Sequence, residues 1–186
     1  PYTISNYMAD EIKTPKISTE SKEFDEAELK VQQQLEGFVN NKGTKTTDHF
    51  HKKLGKLLYD KCGLSRSKKG LEEAIERIKS LTDEFRAELI VPGSPAGINA
   101  ELEKAGRVAD YLEIGEVMCR DALARDESCG AHFREEYQTP EGEALRNDDK
   151  FCFVSAWEWA GKDKQPVLHP EPLQFEKVKL SVRSYK

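Results

Sequence analysis

KGLEEAIERIKSLTDEFRAEL, at residues 69–89, carries the strongest helical pattern in the chain. Its apolar side chains recur every three or four residues over about five turns. They are Leu71, Ala74, Ile75, Ile78, Leu81, Phe85 and Leu89. Because this spacing places them on one face of an α-helix, that face must be buried against other elements. The stretch therefore predicts a helix that packs in a bundle.

The segments on either side predict two more bundle helices. Residues 47–62 place apolar side chains on one helical face, and Gly63 follows as a stop signal. VPGSPAG at 91–97 then interrupts the helical pattern with two prolines and two glycines. Asn99 is suited to cap a third helix, whose apolar pattern continues to about Arg125.

The first part of the chain has weaker patterns. Residues 4–12 resemble a short helix, and KTPKISTE at 13–20 is predicted to be a loop. A weak apolar stripe predicts a helix over 25–39, which the following NNKG would end. The sequence starts with PYTISNYMADEI and no initiator methionine. We interpret this start as that of a fragment or a processed chain.

The last part of the chain predicts β structure. Residues 151–161 are rich in aromatic and β-branched side chains, and apolar and polar residues alternate over 177–182. PVLHPEP at 166–172 is expected to limit regular pairing, because proline lacks the backbone donor. The predicted fold class is mainly α, an antiparallel three-helix bundle with a small C-terminal β appendage. The predicted divisions are a connector (1–24), a helical bundle (25–130) and a C-terminal loop and β-strand appendage (131–186).

The composition limits what the chain can do. Of 186 residues, 37% are hydrophobic and 34% are charged, with a formal net charge of -5. Interleaved charges with this balance argue against nucleic acid as a partner. No apolar run approaches the roughly 18 residues of a membrane-spanning helix, so we expect a soluble chain. The four cysteines form no CxxC pair, which argues against a zinc site or a disulfide framework and favours a reducing cytoplasm.

Residues 125–137, RDESCGAHFREEY, gather the side chains of a possible active site where the third helix ends. We call this segment the polar elbow. Cys129 and His132 could act as a nucleophile and its base if thiol and imidazole were in contact. Their spacing allows that contact only in a helix, which Gly130 between them disfavours. A structural role is therefore favoured over catalysis.

Other chemically suggestive residues have simpler interpretations. His49 and His51 are two residues apart, whereas helical metal pairs need a spacing of three or four. The lysines that follow are interpreted as a solvated face, since acidic residues offset their charge; they are Lys52, Lys53, Lys56 and Lys61. The aromatic strand face is interpreted as core, or alternatively as a surface that covers another chain. That face comprises Phe151, Phe153, Trp157 and Trp159.

The polar elbow also carries a recognisable motif. Its sequence resembles the R-x-E-S-x-G-x-H-x-R signature of succinate dehydrogenase and fumarate reductase flavoprotein subunits, near their C-terminus. The matching residues are Arg125, Glu127, Ser128, Gly130, His132 and Arg134. ELEKAGRVADYLEIGEVM, FREEYQTPEGEALRNDDKF, AWEWAG and LSVRSYK extend the resemblance over most of the chain from Thr46 onward. Many members have arginine in place of Cys129, and ESCG with HFREEYQT is similar to the branch that works with di-haem cytochrome b anchors and menaquinone.

The resemblance implies an oxidoreductase whose FAD interconverts succinate and fumarate and passes electrons to an iron–sulfur subunit. FAD and dicarboxylate would be held by preceding FAD-binding and capping domains, so no catalytic, cofactor or metal residues are expected in this chain. A membrane cytochrome b anchor would be an indirect partner. The location implied is cytoplasmic, at the inner face of the cell membrane. The resemblance does not distinguish succinate oxidation from fumarate reduction, and it does not identify the quinone.

The same resemblance gives the polar elbow a role in bracing the bundle against the flavin domain. The brace is expected to comprise Arg125, Glu127, Ser128, His132, Arg134 and Glu136. Guanidinium groups suit this role because they bind carboxylates and the free carbonyls of a helix end with fixed geometry. The alternative is a free-standing helical module that binds a protein partner through its aromatic strand face.

Overall fold

The computed structural model describes residues 4, 5, 7, 18–94, 97–161 and 164–181. The predicted short helix over 4–12 lies mostly outside these residues. The chain divides into two compact units, Pro1–Gly37 and Phe38–Lys186. Helix α1 (Lys22–Asn40) begins in the first unit, carries Glu23 and Asp25 in its first turn and has no buried residue. Its position confirms the helix predicted over 25–39.

Three mutually packed helices form the core of the second unit. They are α2 (Thr47–Cys62), α3 (Lys68–Glu88) and α4 (Ala100–Ala124). Helices α2 and α3 bury their predicted apolar faces, whereas Met118 on the predicted apolar side of α4 is exposed. The core includes Phe50, Leu54, Leu71, Ile78, Leu81, Phe85, Leu102 and Leu112. Phe50 and Phe85 meet edge to face with 5.2 Å between ring centroids. The predicted antiparallel three-helix bundle is confirmed.

Side chains cap the start of each bundle helix. Thr46 accepts a hydrogen bond from the amide of His49, and Ser67 accepts one from the amide of Gly70. Asn99 accepts bonds from the amides of Glu101 and Leu102, as predicted. These caps satisfy amide groups that have no partner within the helix.

Two short parallel strands pair next to the start of α2 and the end of α3. β1 (Lys45–Thr46) pairs with β2 (Leu89–Ile90), with Lys45 opposite Leu89. Leu89 had the spacing of a helical residue, but α3 ends at Glu88 and Leu89 is extended. Two-residue strands are too short to show an alternating pattern in the sequence.

The β appendage differs from its prediction at two places, 166–172 and 177–182. A short helix α5 (Asp148–Phe151) leads into β3 (Phe153–Glu158), which pairs antiparallel with β4 (Val167–Pro172). The strand predicted over 177–182 is wrong, since its described residues, 177–181, form no strand.

The expectation that PVLHPEP would limit regular pairing is wrong, because the backbone nitrogens of Pro170 and Pro172 point away from β3. The amide of Leu173 donates to the carbonyl of Cys152, so alternate residues turn their nitrogen toward β3. Pro170 and Pro172 have the opposite orientation, on the open edge of a two-stranded sheet. Edge positions of this kind tolerate proline because no ladder bond is lost.

The aromatic strand face is not a closed core. Phe153 and Trp157 are half-buried, whereas Trp159 lies beyond the end of β3 and is 66% exposed. The indole of Trp157 donates to Asp121 Oδ1 at 2.9 Å, which ties the appendage to α4. The core interpretation is therefore wrong for Trp159. Among the described helices, none combines the length and the apolar character needed to cross a bilayer.

Candidate functional site

The polar elbow leaves the end of α4 and returns to the start of α3. Arg66, in the loop before α3, donates its amide to the carbonyl of Phe133 at 3.0 Å and accepts the amide of Glu135 at 2.8 Å. These two bonds place Arg134 directly beside Arg66. Residues far apart in the sequence thus form one polar cluster.

Arg134 lies at the centre of this cluster and is only 1% exposed. Its guanidinium donates to the carbonyls of Ala122, Leu123 and Arg125 at 2.9, 3.4 and 3.4 Å. These carbonyls lie at the end of α4, where the helix offers no further amide to them. Arg134 also binds Glu136 Oε2 through Nε at 3.1 Å. A cation at this end complements the helix dipole.

Ser128 holds the backbone of Arg134 in place. The fully buried Ser128 Oγ accepts the amide of Arg134 at 2.8 Å and lies 3.2 Å from its carbonyl oxygen, to which it donates. The amide of Ser128 donates to the carbonyl of Leu145 at 2.8 Å. The serine therefore connects the two arms of the elbow with the segment before β3.

Glu127 and Arg125 connect the elbow with the β appendage. Glu127, 2% exposed, accepts bonds from Arg125 at 2.9 Å and from the amide of Asn147 at 2.8 Å. Arg125 also donates to the carbonyls of Phe151 and Phe153 at 2.9 and 3.1 Å. Its guanidinium lies 5.0 Å from the Phe153 ring centroid, within the range of a cation–π contact.

Glu136 connects the elbow with α3. Its Oε1 accepts the amide of Lys68, the first residue of α3, at 2.6 Å. A carboxylate is favourable here because the helix dipole is positive at its N-terminus. Burial raises the pKa of the Glu136 carboxyl, but the hydrogen bonds from Lys68 and Arg134 lower it, so that the net pKa lies below the ordinary value.

His132 has both ring nitrogens engaged. Nδ1 accepts from the Arg66 guanidinium at 2.8 Å, so Nε2 carries the proton and donates to the carbonyl of Arg125 at 3.0 Å. Burial lowers the pKa of His132, and the charges of neighbouring arginines act in the same direction. The imidazole is therefore neutral near pH 7.

The nucleophile and base hypothesis for Cys129 and His132 is not supported by this geometry. The two residues pair through their backbones, with amide-to-carbonyl distances of 2.8 and 3.0 Å in the two directions. Gly130 makes the turn between them with a φ of +59°. Neither nitrogen of the His132 ring is free to accept the thiol proton, because Nδ1 is bound to Arg66 and Nε2 to the carbonyl of Arg125.

The other suggestive side chains have ordinary surroundings. Lys53 and Lys61 pair with Glu84 and Glu73 at 2.6 and 2.8 Å, which confirms a charge-balanced lysine face. Across the described part of the chain, no three histidine, cysteine or acidic side chains are grouped so that they could hold a metal ion.

Comparison with known proteins identifies the family. The family profile described as "Fumarate reductase flavoprotein C-term" matches residues 51–185. The chain belongs to this family. It corresponds to the C-terminal domain of succinate dehydrogenase and fumarate reductase flavoprotein subunits, which confirms the resemblance carried by the elbow motif.

Individual members support this family assignment. The fumarate reductase flavoprotein subunit of Helicobacter pylori is 25% identical over 180 residues, which are 96% of this chain and 24% of that protein. A solved quinol fumarate reductase of Escherichia coli has a TM-score of 0.71 at 24% identity and covers 87% of this chain and 27% of its own. The chain thus spans about a quarter of the length of these relatives.

The same fold also occurs in a reductase with a different name. A solved adenylylsulfate reductase of Archaeoglobus fulgidus has a TM-score of 0.65 at 13% identity and covers 91% of this chain and 27% of its own. Because the same architecture occurs at such low identity in a differently named reductase, the fold alone does not specify a substrate.

The partners of the elbow outside the motif could not be found from the sequence. Arg66, Lys68 and Asn147 bind His132, Glu136 and Glu127 through contacts 20 to 68 residues apart. Arg66 lies in LSRSKK at 64–69, and no feature of this sequence distinguishes it from an ordinary exposed arginine. Only packing of α3 beside the end of α4 brings it to the imidazole.

Proposed function

We propose that this chain is the structural C-terminal domain of an FAD-dependent flavoprotein subunit that interconverts succinate and fumarate. Electrons would pass from the flavin to an iron–sulfur subunit, and a membrane cytochrome b anchor would be an indirect partner. Support comes from the family profile, which matches most of the chain and is named for the C-terminal region of such subunits. In this proposal the protein acts on the cytoplasmic face of the cell membrane.

The polar elbow supports a structural role for this domain. Two of its charged side chains, Arg134 and Glu127, are buried and bind backbone groups of α4 and of the segment before β3. Such groups are not available to bind a flavin or a dicarboxylate. We propose that the elbow keeps the domain rigid where it meets the FAD-binding and capping domains.

This proposal is tested by comparing the chain with a longer subunit that includes preceding FAD-binding and capping domains. Absorbance and dye-coupled succinate oxidation should show flavin and turnover only in the longer protein. Stoichiometric flavin in the isolated chain, or its oxidation of succinate, would refute the structural assignment.

An interaction module is the second candidate function. It is favoured by a groove of about 800 Å³ between α3, α4 and β3, lined in part by Met118, Trp157 and Trp159. Ile114 and Met118 expose apolar surface on α4 beside it. Sequencing the reading frame upstream of Pro1 separates the candidates, because a dinucleotide-binding GxGxxG fold there would favour the flavoprotein.

A further inference from the structure

Helices α2 and α4 approach each other closely at Gly115. A Cβ atom at this position would lie 3.2 Å from Leu58 Cδ1 and 3.5 Å from Leu54 Cδ1. A side chain here would be tight against these leucines. Gly115 therefore lets Leu54 and Leu58 of α2 pack against the backbone of α4.

Two cysteines lie one helical turn beyond this contact. Cys62 follows Leu58 by four residues in α2, and Cys119 follows Gly115 by four residues in α4. Residues four apart share a helix face, so both side chains point into the same interface. Cys62 is 5% exposed and Cys119 is 0% exposed.

The two buried thiols face the same interface. Interaction with the Cys119 thiol lowers the pKa of the Cys62 thiol; burial opposes the shift, and the charge of Arg66 adds to it. Interaction with the Cys62 thiol and burial raise the pKa of the Cys119 thiol. Because Arg66 is bound to the backbone of Cys62, Cys62 is the cysteine whose thiolate the arginine favours.

Arg66 is held in position beside this pair. Its Nε donates to the carbonyls of Cys62 and Gly63 at 3.2 and 3.1 Å, while NH1 binds His132. A cation fixed beside a thiolate favours nucleophilic attack by the sulfur.

We propose that Cys62 and Cys119 form a site of reversible oxidation by hydroperoxides, which joins α2 to α4 through a disulfide. The Cys62 thiolate attacks one peroxide oxygen, the O–O bond breaks, and a sulfenic acid and a hydroxide ion form. Cys119 then attacks the oxidised sulfur, the S–O bond breaks, and water leaves after the thiol proton is transferred. Overall, two thiols are oxidised to one disulfide, and one hydroperoxide is reduced.

The oxidant class follows from the burial of the pair. Hydrogen peroxide is small enough to reach the thiol of a residue that is only 5% exposed, whereas a bulky disulfide reagent is not. Cys129 is exposed and Cys152 is partly exposed, so they would react with larger reagents as well. The proposed site is distinguished from them by its selectivity for small oxidants.

The test uses the full chain with Cys129→Ser and Cys152→Ser, so that only the proposed pair remains. After treatment with hydrogen peroxide, mass spectrometry should show the loss of two hydrogen atoms and a peptide pair linked through Cys62 and Cys119. Dithiothreitol should reverse the change. Circular dichroism before and after treatment shows that the reacting protein is folded.

Two further variants assign the roles of the sulfurs. In the same background, Cys119→Ala should stop the reaction at a sulfenic acid on Cys62, which dimedone traps. Cys62→Ala should leave Cys119 reduced at the same peroxide concentration. The proposal is overturned if the folded protein keeps both thiols, or if the disulfide forms only after unfolding in urea.

Discussion

Arg134 binds three backbone carbonyls at the end of α4 as well as Glu136, and it is almost fully buried. Truncation to alanine would leave these acceptors without their donor in a buried site. We expect Arg134→Ala to lower the free energy of unfolding by about 3–5 kcal/mol. Urea denaturation followed by circular dichroism measures the change.

Cys129→Ser is the matched control in the same segment. Because Cys129 is exposed and pairs with His132 through its backbone, serine should leave the free energy of unfolding almost unchanged. In the proposed flavoprotein this variant should also keep its turnover. Loss of turnover with normal folding and flavin content would show that the elbow takes part in chemistry.

His132 makes the stability depend on pH. Burial lowers its pKa in the folded state below the ordinary value of 6.5, so the unfolded chain binds the extra proton more readily. The contribution to stability is present above pH 6.5 and decreases as the pH falls toward the folded pKa. Urea unfolding should therefore show lower stability at about pH 5 than at about pH 7.

A His132→Gln variant identifies the source of this dependence. Glutamine cannot titrate, so the loss of stability between about pH 7 and about pH 5 should become smaller than in the parent chain. Carboxylates with lowered pKa values, such as Glu84 and Glu136, lose their contribution only as the pH falls below 4.5. An unchanged slope in the variant would exclude His132 as its cause.

At the scale of single elements, the caps define where helices begin. The Asn99 side chain accepts two amides at 3.1 Å each and also donates to the carbonyls of Pro92 and Ser94 at 3.0 and 3.2 Å. Asn99→Ala removes all four contacts and should lower the free energy of unfolding by about 1 kcal/mol. Thermal or urea unfolding detects a change of this size.

Asn99→Asp separates the cap from the loop contacts. Aspartate keeps an acceptor for the first amides of α4 but cannot donate to the carbonyls of the preceding loop. If capping dominates, this variant should lie closer to the parent chain than to Asn99→Ala. Equal losses in both variants would assign the stabilisation to the loop instead.

At the scale of the whole molecule, the three packed helices contain more residues than the two pairs of strands. The far-ultraviolet circular dichroism of the chain should therefore be predominantly helical, with the two-stranded pairs adding little. A spectrum dominated by β structure would contradict the bundle. The measurement needs neither cofactor nor partner, so it tests the fold separately from the proposed function.

The sequence by itself determined the features that depend on neighbours along the chain. Apolar side chains at helical spacing located α2, α3 and α4, and Asn99 marked the start of α4. The elbow motif identified the family that the chain belongs to. Helical periodicity, capping and motif spacing are all local, so a single sequence displays them directly.

Only the tertiary structure decided which distant groups meet. It brought Arg66 to His132, placed Glu136 at the first amide of α3, and paired the proline-bearing β4 with β3. It also showed that Trp159 is exposed. These outcomes depend on how the helices and strands pack, and the same residue types would satisfy many other arrangements. Side chains of opposite polarity or complementary shape become specific partners only when the backbone brings them within contact distance.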